Sequence, residues 1–103
     1  MEYRRGILFV RLMGRLNKDT SYKLDDFLIK TINRHGIKYM VYNLDNLYSI
    51  DDDGTQILQK GIRAIKKNHG RVLVCASSPT INIKNLKVSY IASELKAMSL
   101  LRV

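Results

Sequence analysis

Three short runs of branched and aromatic residues, separated by two stretches with helical spacing, constrain this chain most. Ile7-Leu8-Phe9-Val10-Arg11-Leu12-Met13 ends at Gly14, Ile37 to Leu44 follows Gly36, and Arg71 to Ala76 follows Gly70. Runs of that length and make-up suit buried strands. Between the first two, Leu24, Phe27, Leu28, Thr31 and Ile32 recur at helical spacing, with Asp25, Asp26, Lys30, Asn33 and Arg34 mainly on the other side. Asp19 and Thr20 offer the cap of that helix, and Gly36 its left-handed stop. A second helix is expected to begin near Asp53. Its apolar stripe is Ile57, Leu58, Gly61, Ile62 and Ile65, its reverse face Lys60, Arg63, Lys66 and Lys67, and its stop Gly70. Buried strands alternating with amphipathic helices predict a layered α/β domain.

The flanking segments extend this pattern. Tyr3 to Arg5 reads as an edge strand before the first run. Asp45 to Asp53 reads as a polar loop, packed down through Leu47, Tyr48 and Ile50. After Pro79, Thr80 to Asn85 suits a short helical turn and Leu86 to Tyr90 a weak edge strand. Ser93 then caps a last helix through Glu94, Leu95, Met98 and Leu101. With 103 residues, no internal repeat and no low-complexity linker, residues 1–103 are expected to form a single domain. No apolar run approaches the roughly 18 residues needed to span a bilayer, so membrane insertion is not expected. Met1 to Gly6 lacks the make-up of a signal peptide. One cysteine excludes an internal disulfide framework. The expected compartment is the cytoplasm.

Charge is the unusual global property. The net charge is +9, with nine acidic residues among 18 cations, and Glu94 is the one acid beyond Asp53. A basic half attracts nucleic acid, acidic lipid or an acidic protein without choosing among them. Lys60, Arg63, Lys66 and Lys67 recur at three- and four-residue steps, as on a solvated helix exterior. A nucleic-acid site is the sharper alternative, although no RRM, KH or helix-turn-helix pattern accompanies it. Tyr39 and Tyr42 belong to a core strand and are poor stacking platforms.

Asp51-Asp52-Asp53-Gly54-Thr55 is the most informative stretch. Three adjacent carboxylates repel one another and need a compensating field. The free N–H groups and dipole of a helix start supply one, so an N-cap with an acidic first turn is the plain reading. The ligand spacing of a calcium loop is missing. Asp45 ends a strand, as the phosphoacceptor of a receiver domain does, but the first strand ends Leu12-Met13-Gly14-Arg15 without the acid pair that such domains use for Mg²⁺. His35 and His69 each precede a helix-ending Gly, where an imidazole suits the last carbonyls. Cys75 sits in an apolar strand and reads as a buried structural thiol. No dinucleotide, P-loop or nucleophile-elbow motif occurs. Neither catalysis, a metal nor a cofactor is expected.

The segment Val41-Tyr42-Asn43-Leu44-Asp45-Asn46-Leu47-Tyr48-Ser49-Ile50-Asp51-Asp52-Asp53-Gly54 resembles the signature of STAS domains, in particular bacterial anti-sigma factor antagonists. That pattern is an apolar strand, a Leu-containing loop, and Asp-Ser-Ser/Thr-Gly opening a helix. Ile57 to Cys75 and the strand from Gly6 to Leu16 fit as well. The resemblance implies an α/β fold with a mixed, mostly parallel sheet of four to five strands and helices mainly on one face. It implies no catalysis. It implies a partner, an anti-sigma factor, often a serine kinase using ATP, bound through Asp51, Asp52, Asp53, Gly54 and Thr55. In the family, phosphorylation of the second hydroxyl residue of the motif switches binding off. Asp53 stands at that phosphoacceptor position, and a carboxylate cannot form the ester. Ser49 and Thr55 are nearby hydroxyls outside the matching position. A scaffold subunit of a signalling or transport complex is the alternative within the same family.

Overall fold

The computed structural model describes residues 1–76, 88–91 and 93–101. In chain order the elements are β1 (Glu2–Arg4), β2 (Ile7–Leu16), α1 (Ser21–His35), β3 (Tyr39–Ile50), α2 (Asp52–Lys67), β4 (Arg71–Cys75), β5 (Ser89–Ile91) and α3 (Glu94–Leu100). The strands lie side by side in the order β1-β2-β3-β4-β5. β1 runs antiparallel to β2, and every other neighbouring pair is parallel. Parallel neighbours need crossovers, and α1 and α2 supply the first two. This is the mixed, mostly parallel α/β sheet that the sequence predicts.

The sheet is sided. Leu8, Val10 and Leu12 alternate with Ile7 and Phe9, because successive strand side chains point to opposite faces. The first set joins Met40 and Tyr42 against Leu28 and Ile32 of α1 and Leu58, Ile62 and Ile65 of α2. Ile7, Phe9, Val41, Leu73, Cys75 and Ile91 form the other face and pack with Ala97 of α3 and with Leu101. Two of the three helices among the described residues thus share one face. Inside the larger core the Tyr42 hydroxyl donates to the Leu58 carbonyl at 2.9 Å. A Cβ on Gly61 would collide with that hydroxyl, so the helix approaches the strand closely only through glycine. Burial pushes the Tyr42 phenol far above its ordinary range.

Several expectations need correction. Phe27, placed on the core stripe of α1, is 66% exposed; Leu24, Leu28, Ile29 and Ile32 carry the packing instead. Thr20 is the N-cap residue of α1 but makes no capping bond. Its Oγ1 donates to the Arg15 carbonyl at 2.8 Å, while Asn17 Oδ1 accepts the amides of Asp19 and Thr20. At the end of α1, Gly36 adopts the expected left-handed conformation. At the end of α2, His69 does so, with φ 60°, and the Gly70 amide returns to the Ile65 carbonyl. Ser93 caps α3 as expected, its side chain accepting from the Lys96 amide. The expected edge strand is β5, Ser89–Ile91. The helical turn at Thr80 to Asn85 lies outside the described residues. The largest departure concerns the expected loop at Asp45 to Asp53: β3 continues through it to Ile50.

Candidate partner-binding surface

β2 and β3 outrun the rest of the sheet. Pairing of β3 with β4 stops at Asn43–Cys75, whereas pairing with β2 continues to Leu16–Ile50. Two register shifts, between Arg11 and Met13 and between Gly14 and Arg15, each give β3 one residue more than β2. Such bulges bend a strand and re-aim its side chains. They place Leu44, Leu47 and Ile50, three residues apart, all against the α1–α2 core. The residues between turn outward: Tyr48 is 83% exposed, against the expectation of burial, and Met13 on β2 is 74% exposed.

The ribbon leads into the start of α2. The Asp51 amide donates to the Leu16 carbonyl at 3.1 Å, tying the helix entrance to the end of β2. Asp51 is the N-cap. Its Oδ1 accepts the Gly54 amide at 2.8 Å and its Oδ2 the Lys18 amide at 3.3 Å. The Asp51 carbonyl accepts both the amide and the Oγ1 of Thr55, at 2.9 and 3.0 Å. Gly54 is buried, and a Cβ there would strike the Leu16 carbonyl oxygen and the side chains of Leu16 and Ile50. Asp51, Gly54 and Thr55 are therefore committed to building the helix start. Asp52 and Asp53 occupy its exposed first turn, and among the described residues neither side chain has a hydrogen bond or ion pair. The N-terminal dipole of a 16-residue helix offsets their mutual repulsion.

The basic face of α2 stands apart from this tip. Lys60, Arg63 and Lys67, with Asp25, Asp26 and Lys30, line a groove of about 530 Å³ between α1 and α2. Lys66 is exposed but does not line it. Lys60 Nζ lies 3.2 Å from Asp25 Oδ2, and Lys30 pairs with Asp26 at 3.0 Å. Two of the cations that line the groove thus already have partners.

A second charged cluster, which the sequence did not announce, sits on the α3 face. Arg11 donates through Nε and Nη2 to the two oxygens of Glu94, at 2.9 and 2.7 Å, and pairs with Glu2 at 2.9 Å. Asn43 Nδ2 adds a bond to Glu94 at 2.8 Å. The bond from Arg11 holds the Glu94 carboxyl below its ordinary value, opposed by partial burial. Burial, then the neighbouring carboxylates of Asp45 and Glu94, push the Cys75 thiol up to about 11. It is a protonated structural thiol at neutral pH, as expected. Among the described residues no group of three or more His, Cys, Asp or Glu side chains is placed to hold a metal ion.

The STAS domain model matches residues 1–96. The chain belongs to the STAS family. The family is a regulatory, non-catalytic one. An anti-sigma F factor antagonist of Paenibacillus polymyxa is 30% identical over 82 residues, covering 80% of this chain and 70% of that protein. Two solved structures share the fold across 99% of the chain. The anti-sigma factor antagonist SpoIIAA in its unphosphorylated form has a TM-score of 0.83, 19% identity and 94% coverage of that chain. The phosphorylated form of the Bacillus cell fate determinant SpoIIAA has a TM-score of 0.80, 20% identity and 96% coverage. No helix among the described residues is long and apolar enough to cross a membrane.

Proposed function

We propose that this STAS protein is an anti-sigma factor antagonist. It binds an anti-sigma factor in the cytoplasm through the first turn of α2 and so controls sigma-dependent transcription. The observation that carries the reading is the exposed Asp52–Asp53 pair at a helix start whose other motif residues, Asp51 and Gly54, are locked into the fold. The partner supplies the cations and donors that the two carboxylates lack. Asp53 holds the phosphoacceptor position with a permanent single charge, about half that of a phosphoserine. This antagonist is therefore insensitive to the phosphorylation that regulates its family.

Calorimetric titration with purified anti-sigma F factor of Paenibacillus polymyxa, the target class named by the 30%-identical relative, tests the reading. Saturable binding that weakens in Asp52→Asn supports it. Absence of binding at low and moderate salt overturns it.

A further inference from the structure

We infer that Met13 and Tyr48 are the apolar anchors with which this chain seats its partner, in a pocket whose rim is cationic. The inference rests on the proposed function and says what kind of surface that partner presents. Alternation along β2 puts Met13 on the same face as Ile7 and Phe9, the face that α3 covers. That cover ends where Arg11 and Asn43 meet Glu94. Beyond it, among the described residues, Met13 and Tyr48 stand exposed on the two-stranded ribbon. Tyr48 stands at the second bulge of β3, between Leu47 and Ser49, where the strand carries one residue more than its neighbour.

Scattered exposed hydrophobics are normal on a monomer, so exposure alone does not select these two. Their setting does. Tyr48 lies four and five residues before Asp52 and Asp53 on a bulged strand that runs directly into α2. The chain around them carries a net charge of +9, so two exposed carboxylates with no ion pair among the described residues, a few positions from an exposed aromatic, are a local exception. Tyrosine gives a large contact area at low entropic cost, and interfaces favour Tyr and Met. The occupant that matches is a protein surface with an apolar pocket rimmed by Lys or Arg. Nucleic acid would meet the two carboxylates and be repelled. A second copy joined through this patch would bring acidic pairs close together, also a repulsive arrangement.

The test compares Met13→Ser, Tyr48→Ser and the double variant with wild type in the same titration against anti-sigma F factor. Phe27→Ser is the control, because Phe27 is similarly exposed but lies on α1, across the sheet. Circular dichroism verifies the fold of each variant. Each single change should weaken binding by about tenfold or more, and the double change more still, as expected of interface anchors. The control should bind like wild type. Wild-type affinity in the double variant would overturn the anchors and leave the proposed function standing. Failure of wild type itself to bind would overturn the function and the anchors together. A wild-type dimer in sedimentation that Tyr48→Ser dissociates would assign the patch to a second copy and overturn the inference.

Discussion

Both carboxylate oxygens of Asp51 accept backbone amides, one from Gly54 at 2.8 Å and one from Lys18 at 3.3 Å. Two residues later, Asp53 has the same side chain and no such partner among the described residues. Their substitutions should therefore separate. Asp51→Ala should lower the unfolding free energy by about 0.5–2 kcal/mol, the ordinary cost of losing an N-cap. Asp53→Ser should stay within about 0.5 kcal/mol of wild type, as exposed substitutions do. Urea unfolding monitored by circular dichroism measures both, and equal losses would show that Asp53 also holds the fold. For the same reason Asp51→Ala is a poor probe of binding, since it disturbs the helix start that presents Asp52 and Asp53. The motif from Asp51 to Gly54 was legible in the sequence because a capping carboxylate and a close-approach glycine need fixed spacing. Phe27 and Tyr48 were not, because an aromatic in an apolar pattern carries no mark of which neighbours will cover it.

The β2–β3 ribbon and α3 raise the same question for whole elements. Strand reading depends on a period of two, and the two bulges space Leu44, Leu47 and Ile50 at three. The buried strand continuation is therefore disguised as a loop. β4 and α2 have regular spacing and are legible close to their observed limits, whereas β2 runs on past the apolar run that ends at Gly14, to Leu16. The attachment of α3 was hidden for another reason: the Arg11–Glu94 pair joins residues 83 positions apart, and nothing local announces it. Its contribution depends on pH with a definite sign. Glu94 titrates below its ordinary value of 4.5 in the folded chain, chiefly through Arg11. The stabilisation is present above the unfolded-state value and is lost as pH falls through the lower folded-state value. Glu94→Gln should therefore be less stable than wild type at neutral pH, and the gap should narrow as the pH falls below about 4. Urea midpoints at pH 7 and pH 3 check this. A gap that is unchanged at pH 3 would show that the side chain acts by packing and not by charge.

Across the whole molecule the parallel order of β2, β3 and β4 leaves α1 and α2 on one face and brings the end of β2 to the start of α2. That convergence turns a four-residue sequence motif into a presented surface, acidic at the helix and apolar on the ribbon. The remaining charge is predominantly basic, and Lys60, Arg63 and Lys67 of its most regular stripe line a separate groove in which Lys60 is paired with Asp25. Asp53 offers a carboxylate where a serine kinase needs a hydroxyl, so the proposed switch position is fixed chemically while the acidic helix start remains exposed. Incubation with purified anti-sigma F factor and ATP, followed by mass analysis of the peptide spanning residues 49–55, decides whether the switch is fixed. Wild type should gain no phosphate there, and Asp53→Ser should gain one. A phosphate on Ser49 or Thr55 of wild type would instead show a working switch, moved to a neighbouring hydroxyl, and would overturn the insensitivity assigned to Asp53.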